Sequence, residues 1–495
     1  MTTMSQNQHS TRPRFQRRFV EGMSRSLKLL RRRLFAPIDI ASLVFFRIAF
    51  GAIMLWEVMR YFVNGWIRSF YIEPTFHFKY WGFGWVQPLP GDLMYLLFYL
   101  LGVLAICIMV GLSYRISAAL FFVGFTYVFL LDQARYLNHF YLVSLISFLM
   151  IFVPAHRAFS FDVWRRPERQ SETAPAWTLR LLRAQLAIVY FYGGLAKLNS
   201  DWLSGEPLRM WLAKRADLPI FGSLLVEEWT VYLFAYGGLF FDLLIVPLLL
   251  WRRTRLVAFL WAISFHLLNA TLFQIGIFPW FALAATLLFF PPDLPRRSLQ
   301  YIRGLLGLQS NIEPDAAANS RAALAWQPAS RITIALFAIY FALQLSLPLR
   351  HFLYPGDVNW TEEGHRFSWR MKLRDKKARI RFSAYDPLTG ATWEIEPREY
   401  LTLAQLNEMK TRPDMILQFS HHLAQEMRLQ GHENIEIRVL VKAALNGRQP
   451  QLLIDPTVNL AAQEQSLLPS LWIIPLTEPL PNRKSVPTEG AVKED

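Results

Sequence analysis

Among 495 residues there is a single cysteine, Cys107. One thiol excludes any intrachain disulfide, and its place inside an apolar run makes Cys107 a small buried hydrophobe by expectation. Charge is scarce at 18% of residues, and the acidic sign scarcer still, with 37 Asp and Glu against 52 Lys and Arg and a net charge of +15. No internal repeat is present, which excludes a repeat array. No small-residue cleavage site follows the basic N-terminal region, which leads into a long apolar stretch, so this segment does not resemble a cleaved signal peptide.

Apolar residues are abundant instead. They make up 53% of the chain, with 15% aromatic, and the mean hydropathy is +0.22, more than a soluble domain of this size carries. The sequence predicts a multi-pass α-helical membrane domain. Apolar stretches fall at residues 39–61, 92–112, 116–131, 139–154, 179–196, 231–250, 256–271, 275–291 and 332–348. Crossing a bilayer takes about 20 apolar residues, so the third, fourth, seventh and eighth are short and could tilt little. Nine spans is the expected count and eight the alternative.

Lysine and arginine, enriched in cytoplasmic loops, give the orientation. With the N-terminus inside, 22 of them fall in the inner segments and 7 in the outer loops. That puts the N-terminus inside and residues from about 349 onward outside. Much of the positive charge is then a topogenic signal, which weakens any nucleic-acid reading, and the run Arg31-Arg32-Arg33 could touch anionic lipid. The chain divides into a basic segment 1–38, a helical domain 39–348 ending in a connector over 303–330, an extracytoplasmic domain 349–480 and a polar tail 481–495. In the third part, residues 379–385 and 391–396 alternate apolar with polar around a turn at Asp386 to Gly390, and 435–441 and 452–454 do so around Asn446-Gly447. Two hairpins follow, with helical stretches near 402–410 and 414–429 between them, which makes this domain α+β.

Lys197 sits at the lip of the fifth stretch with no acidic residue within one turn before it. An unpaired ammonium beside lipid is costly, so such a lysine snorkels, finds a partner or gives up its proton and becomes a base. Other polar residues reach the same boundary: Asn138 and His139 open the fourth stretch, His266 and Asn269 share one face of the seventh, and His351 follows the ninth. Phe278, Trp280, Trp360 and Trp369 are placed to wall an apolar pocket at that depth. Each has a plainer reading, since an interfacial His is more often a packing residue, Trp more often belongs to the interfacial belt, and Asn269 could bond a neighbouring helix. Arg47 and Glu57 lie ten residues apart, too far along a helix to pair with each other; their partners are expected on other spans, and Asp242 is expected to be a buried hydrogen-bonding group. The sequon Asn359-Trp360-Thr361 arises readily by chance.

Three runs, Tyr190 to Trp202, Phe265 to Phe278 and Asn359 to Met371, together with Asn138-His139 and Pro348 to His351, resemble the vitamin K-dependent γ-glutamyl carboxylases with their HTTM-type membrane domain. The resemblance covers roughly residues 37 to 480. It implies an integral membrane enzyme that oxidises vitamin K hydroquinone with O2 to the epoxide and couples this to CO2 addition at a glutamate γ-carbon. A tuned side chain cannot readily take a proton from carbon beside a carboxylate, so a stronger base must be made in place. By resemblance Lys197 is the general base toward the hydroquinone, and His139, beside Asn138, serves the carbanion and CO2 step. His266 and His351 match further family histidines, while Trp360, Ser368, Trp369 and Met371 match the part that meets glutamate and quinone. No metal is implied.

The chain departs from the vertebrate pattern in three ways. Ala196 precedes Lys197 where vertebrate enzymes have paired lysines, one cysteine excludes their interdomain disulfide, and most of their long luminal extension is not expected, which leaves propeptide docking open. Two alternatives therefore stand beside the coupled enzyme: a quinone epoxidase without protein carboxylation, and a non-catalytic membrane module whose outer domain binds a partner. The expected partners are membrane lipid, a quinone and a glutamate-containing protein or peptide, and the expected location is a bacterial cytoplasmic membrane.

Overall fold

The computed structural model describes residue 29, residues 32–307 except 220 and 274, and residues 331–481. Most of the basic N-terminal segment with Arg31, most of the 303–330 connector and the tail beyond Pro481 lie outside the described residues. Each of the nine apolar stretches is helical: α1 (Ala41–Val63), α2 (Asp92–Val110), α3 (Tyr114–Leu130), α4 (Asn138–Met150), α5 (Ala176–Ala196), α6 (Glu228–Leu250), α7 (Arg255–Phe273), α8 (Phe278–Thr286) and, after the amphipathic α9 (Leu294–Leu305), α10 (Arg331–Ser346). Among the described residues, five segments are long and apolar enough to cross a membrane: α1, α2, α6, α7 and Ile334–Leu353. The count of nine is not reached on length and composition. α3, α4 and Phe278–Phe289 are apolar but shorter, and α5 carries Arg180, Arg183 and Gln185 along its 21 residues.

Helix α1 is the axis of the membrane half. Phe46 and Phe50 meet Phe281 of α8 edge-on at 6.2 and 6.3 Å, and Phe50 meets Phe121 of α3 at 5.9 Å. Arg47 is fully buried in this aromatic core. Its guanidinium donates to the carbonyls of Ala155 at 2.8 Å and Phe159 at 2.5 Å, in the turns after α4, which gives both terminal nitrogens of a buried cation a partner without a carboxylate. Glu57 corrects the expectation of a partner on another span: it accepts from Arg60, three residues on in α1, at 2.6 Å. Such neighbours face each other on a helix surface. Cys107 is half-buried rather than buried. Short strands β1 (Pro37–Asp39) and β2 (Thr173–Pro175) pair antiparallel and hold the starts of α1 and α5 together.

The C-terminal domain is α+β. Its sheet is antiparallel in the order β4 (Thr392–Ile395), β3 (Lys376–Tyr385), β5 (Glu436–Leu445), β6 (Gln451–Leu452). Both hairpins form where alternation placed them, and Asn446 (φ 51°) with Gly447 (φ 81°) turns the second. Between them come α11 (Leu403–Met409), opened by a capping box between Thr402 and Gln405, and α12 (Pro413–Leu429). The buried face of α12, with Ile416, Phe419 and Leu423, packs on Phe382, Ile437, Val439 and Val441 of the sheet.

The boundary between the parts is less clean than the sequence division. Phe78, from the α1–α2 connection, and Ala134, from the α3–α4 connection, belong to the C-terminal core. Asp132 accepts from Gln405 Nε2 at 3.0 Å, and Gln418 accepts from the Lys79 amide at 2.8 Å. Asp201 accepts from Asn446 at 2.8 Å and from Arg448 at 2.6 and 2.7 Å. Burial pushes the Asp132 carboxyl up to about 6, against hydrogen bonds from Ala134 and Gln405 that pull it down. Burial, with Lys79 nearby, holds His77 down to about 4.

Candidate active site

A cavity of about 720 Å³ lies between the helices and the C-terminal domain, lined by residues of α1, α4, α5, α6 and α7 and by the segment after Trp369. Lys197 forms the end of α5. The helix stops there because Asn199 turns the chain, its side chain accepting from the Trp202 amide at 3.0 Å. The Trp202 indole N–H then donates to the Ala235 carbonyl at 2.8 Å, which brings its ring to 5.3 Å from the Lys197 ammonium.

Lys197 is not the unpaired amine of the sequence reading. It is buried, donates to the Gly193 carbonyl at 3.2 Å and forms an ion pair with Asp242 of α6. Asp242 is thus Lys197's partner across the cavity wall. No local signal could have found it, because it lies 45 residues away. What permits the pair is the Gly193-Gly194 step: a Cβ on Gly194 would come within 2.6 Å of Leu243, so only glycine lets α6 approach closely enough. An ammonium and a carboxylate in contact carry no net charge into an apolar wall, which offsets much of the desolvation cost.

Around this pair stand most of the expected residues. His266 is fully buried, its Nε2 3.1 Å from the Tyr190 hydroxyl, while its Nδ1 has no hydrogen-bond partner among the described residues. Asn269, one turn on, also lines the cavity but bonds its own helix, at the Phe265 carbonyl, rather than a neighbour. Asn138 and His139 open α4 after the extended Leu137. The Asn138 amide accepts from Tyr136 and donates to the Arg370 carbonyl at 3.3 Å, tying this helix start to the C-terminal domain. The His139 ring lies 6.0 Å from that of Phe278. Phe278 and Met371 line the cavity as well.

Five expected residues do not reach the cavity wall. Trp280 is 45% exposed and its ring meets Trp56 at 6.4 Å. Trp360 is buried in the C-terminal core, where its indole donates to the Ile474 carbonyl. Trp369 stacks on Tyr141 at 4.9 Å, one layer behind the cavity. Ser368 bonds the Gly364 carbonyl, and His351 bonds the Pro348 carbonyl at 2.8 Å while its backbone packs against Gly364. Within the run 359–371 nearly every side chain is buried in packing, and only Met371 reaches the cavity wall. Sequence reasoning also passed over Arg60, Arg135, Tyr190, Trp202, Lys372 and Glu408, all on the wall. Single charged residues outside the apolar stretches and family runs, such as Arg135, Lys372 and Glu408, carry no distinguishing signal of their own.

Behind the cavity, buried Glu362 takes an ion pair from Arg374 at 2.5 Å and lies 3.8 Å from Lys376. Burial brings the Lys376 amine down to about 7, opposed by Glu362, and pushes the His365 imidazole well below its ordinary range, with Arg374 acting in the same direction. No group of three or more His, Cys, Asp or Glu placed to hold a metal ion occurs among the described residues.

Residues 35–294 match the model of the HTTM domain, and residues 329–479 match that of the vitamin K-dependent gamma-carboxylase lumenal domain. No solved structure matches the chain significantly. An apolar cavity walled by helices of the first region and closed by the second is the arrangement these two matches join, and the chain belongs to the vitamin K-dependent gamma-carboxylase family.

Proposed function

We propose that this cavity binds reduced vitamin K and that the chain couples quinol oxygenation to the epoxide with carboxylation of glutamate in a protein or peptide. The observation that carries the reading is the burial of the Lys197–Asp242 pair in the same apolar cavity as His139, Asn138 and His266. The residues suit the group: aromatic walls from Trp202, Phe265 and Phe278 match a flat fused ring, and the unpartnered Nδ1 of His266 is a polar atom awaiting a ligand. When bound, reduced vitamin K supplies through its reaction with oxygen the strong base that no side chain can provide.

The chain's own residues hold and move the first proton. The Lys197–Asp242 pair, rather than an isolated neutral amine, would accept the proton of a phenol-like hydroxyl brought to this wall. Tyr190 fixes the His266 ring. Asn138, bonded to Tyr136 and Arg370, fixes the start of α4 and with it His139, which faces the step at the glutamate carbon. Excluding water from this wall protects a carbanion from quenching. The nine-span count, the inside N-terminus and the bacterial cytoplasmic membrane belong to this proposal; the orientation is supported by 22 inner against 7 outer Lys and Arg. All the named side chains gather at the end of the bundle covered by the C-terminal domain.

Purified protein in detergent or liposomes, given reduced vitamin K, O2, labelled bicarbonate and a glutamate peptide, is expected to form epoxide and to incorporate label. Epoxide without label would leave the quinone epoxidase alone. Neither product would sink the catalytic reading.

A further inference from the structure

The cavity wall carries four cations, and they are not equivalent. Lys197 is paired with Asp242, and Arg60 with Glu57 at 2.6 Å. Lys372 stands 5.6 Å from the ring of Trp211 and 5.7 Å from that of Phe273. Arg135 lies with its guanidinium carbon 3.5 Å from the centre of the Phe70 ring. It forms no salt bridge and donates no hydrogen bond among the described residues, and its buried Nε has no partner. The nearest carboxylate in sequence, Asp132, acts on Arg135 through space but forms no salt bridge with it, its oxygens accepting from the Ala134 amide at 2.8 Å and from Gln405. Stacking on Phe70 fixes the guanidinium plane and leaves its donor fork unused, the state of an arginine awaiting an anion.

We infer that Arg135 receives the carboxylate of the glutamyl side chain, and so sets the specificity for an acidic substrate. The inference rests on the proposed function. It uses the position of Arg135 three and four residues before Asn138 and His139, so that the same short extended turn that presents His139 to the cavity also presents the cation. Lys372 offers only a point charge, whereas a guanidinium matches a carboxylate with two parallel bonds.

The test compares a glutamate peptide with its γ-methyl ester and measures KM and kcat for label incorporation from bicarbonate. Arg135→Gln is expected to raise KM for the acid peptide about 10- to 100-fold, the range for losing a hydrogen bond to a charged group, with a smaller change in kcat. Its preference for the acid over the ester as a competitor should fall by a similar factor. Arg135→Lys keeps the charge and should restore part of both. An Arg135→Gln protein with wild-type KM and wild-type discrimination would overturn the inference. If Arg135→Gln is not recovered folded, Arg135→Lys decides alone: a raised KM supports the fork, and an unchanged KM overturns it. A wild type that forms neither epoxide nor labelled peptide defeats the proposed function itself, so the two failures are distinguishable.

Discussion

In the membrane half, buried charges come singly or in pairs: Lys197 with Asp242, Glu57 with Arg60, and Arg47 on backbone carbonyls. In the C-terminal domain they come as a network, with buried Glu362 held by Arg374 near Lys376 and flanked by the half-exposed pairs Arg366–Asp414 and Arg412–Glu408. The network is behind the cavity for most of its members and serves to fix the loop 359–371. The pairs of the membrane half face the cavity. Isolated pairs in an apolar wall leave their remaining donor and acceptor capacity for a ligand, whereas a network uses that capacity internally.

The comparison breaks most visibly at Asp242. Asp242→Asn leaves the Lys197 ammonium without its counter-charge, and epoxide formation should fall about 10²- to 10⁴-fold, the range for losing a positioned proton acceptor. Stability should fall too, by roughly 3–5 kcal/mol for a broken buried pair; assays at low temperature separate the two effects. Trp360→Ala tests the other side. It empties the C-terminal core and should cost about 3–5 kcal/mol in a denaturant or thermal melt, as a core residue and not a cavity residue would.

Gly194→Val probes what brings the Lys197–Asp242 pair together. The added carbons meet Leu243, so α6 must move, at a cost of about 1–3 kcal/mol, and epoxide formation should fall even where the protein remains folded. A smaller effect is expected at the junction. The His77 imidazole is held down to about 4 from its ordinary 6.5, so its contribution to stability is present above about 6.5 and lost as pH falls toward 4. Thermal melts across that window should show wild type losing stability relative to His77→Gln; parallel curves would contradict the burial argument. Asp132, pushed up, acts with the opposite sign between 3.8 and about 6, which is why the difference between the two proteins, not the wild-type curve, is the readout. Trp280→Leu should change epoxide formation and stability least, within about 1 kcal/mol as for a surface change, since its ring faces away from the cavity.

Legibility followed the same division. In the C-terminal domain, one face of each strand is buried, so alternation at 379–385 and 435–441 gave both hairpins, and Asn446-Gly447 gave the turn. In the membrane half the apolar stretches gave the helices but not which faces meet, because helices apolar all round carry no face signal. The close approach of α5 and α6 at Gly194, and hence the partner of Lys197, followed from packing alone. Asn138, His139, Lys197, His266, Asn269, Phe278 and Met371, which membrane depth and family resemblance grouped, line one cavity. Trp360, Ser368, Trp369 and His351 share that depth but are engaged elsewhere, Trp360 in the C-terminal core, Trp369 on Tyr141 of the membrane half, and Ser368 and His351 on nearby backbone carbonyls, a matter of loop conformation that depth cannot fix.

The most direct test of the central claim is quinol epoxidation by Lys197→Ala beside the wild type, with and without an added small primary amine. The Lys197–Asp242 account predicts a loss of about 10²- to 10⁴-fold, partly restored by the amine, which can occupy the vacated space next to Asp242. A folded Lys197→Ala protein that forms epoxide at the wild-type rate would contradict it.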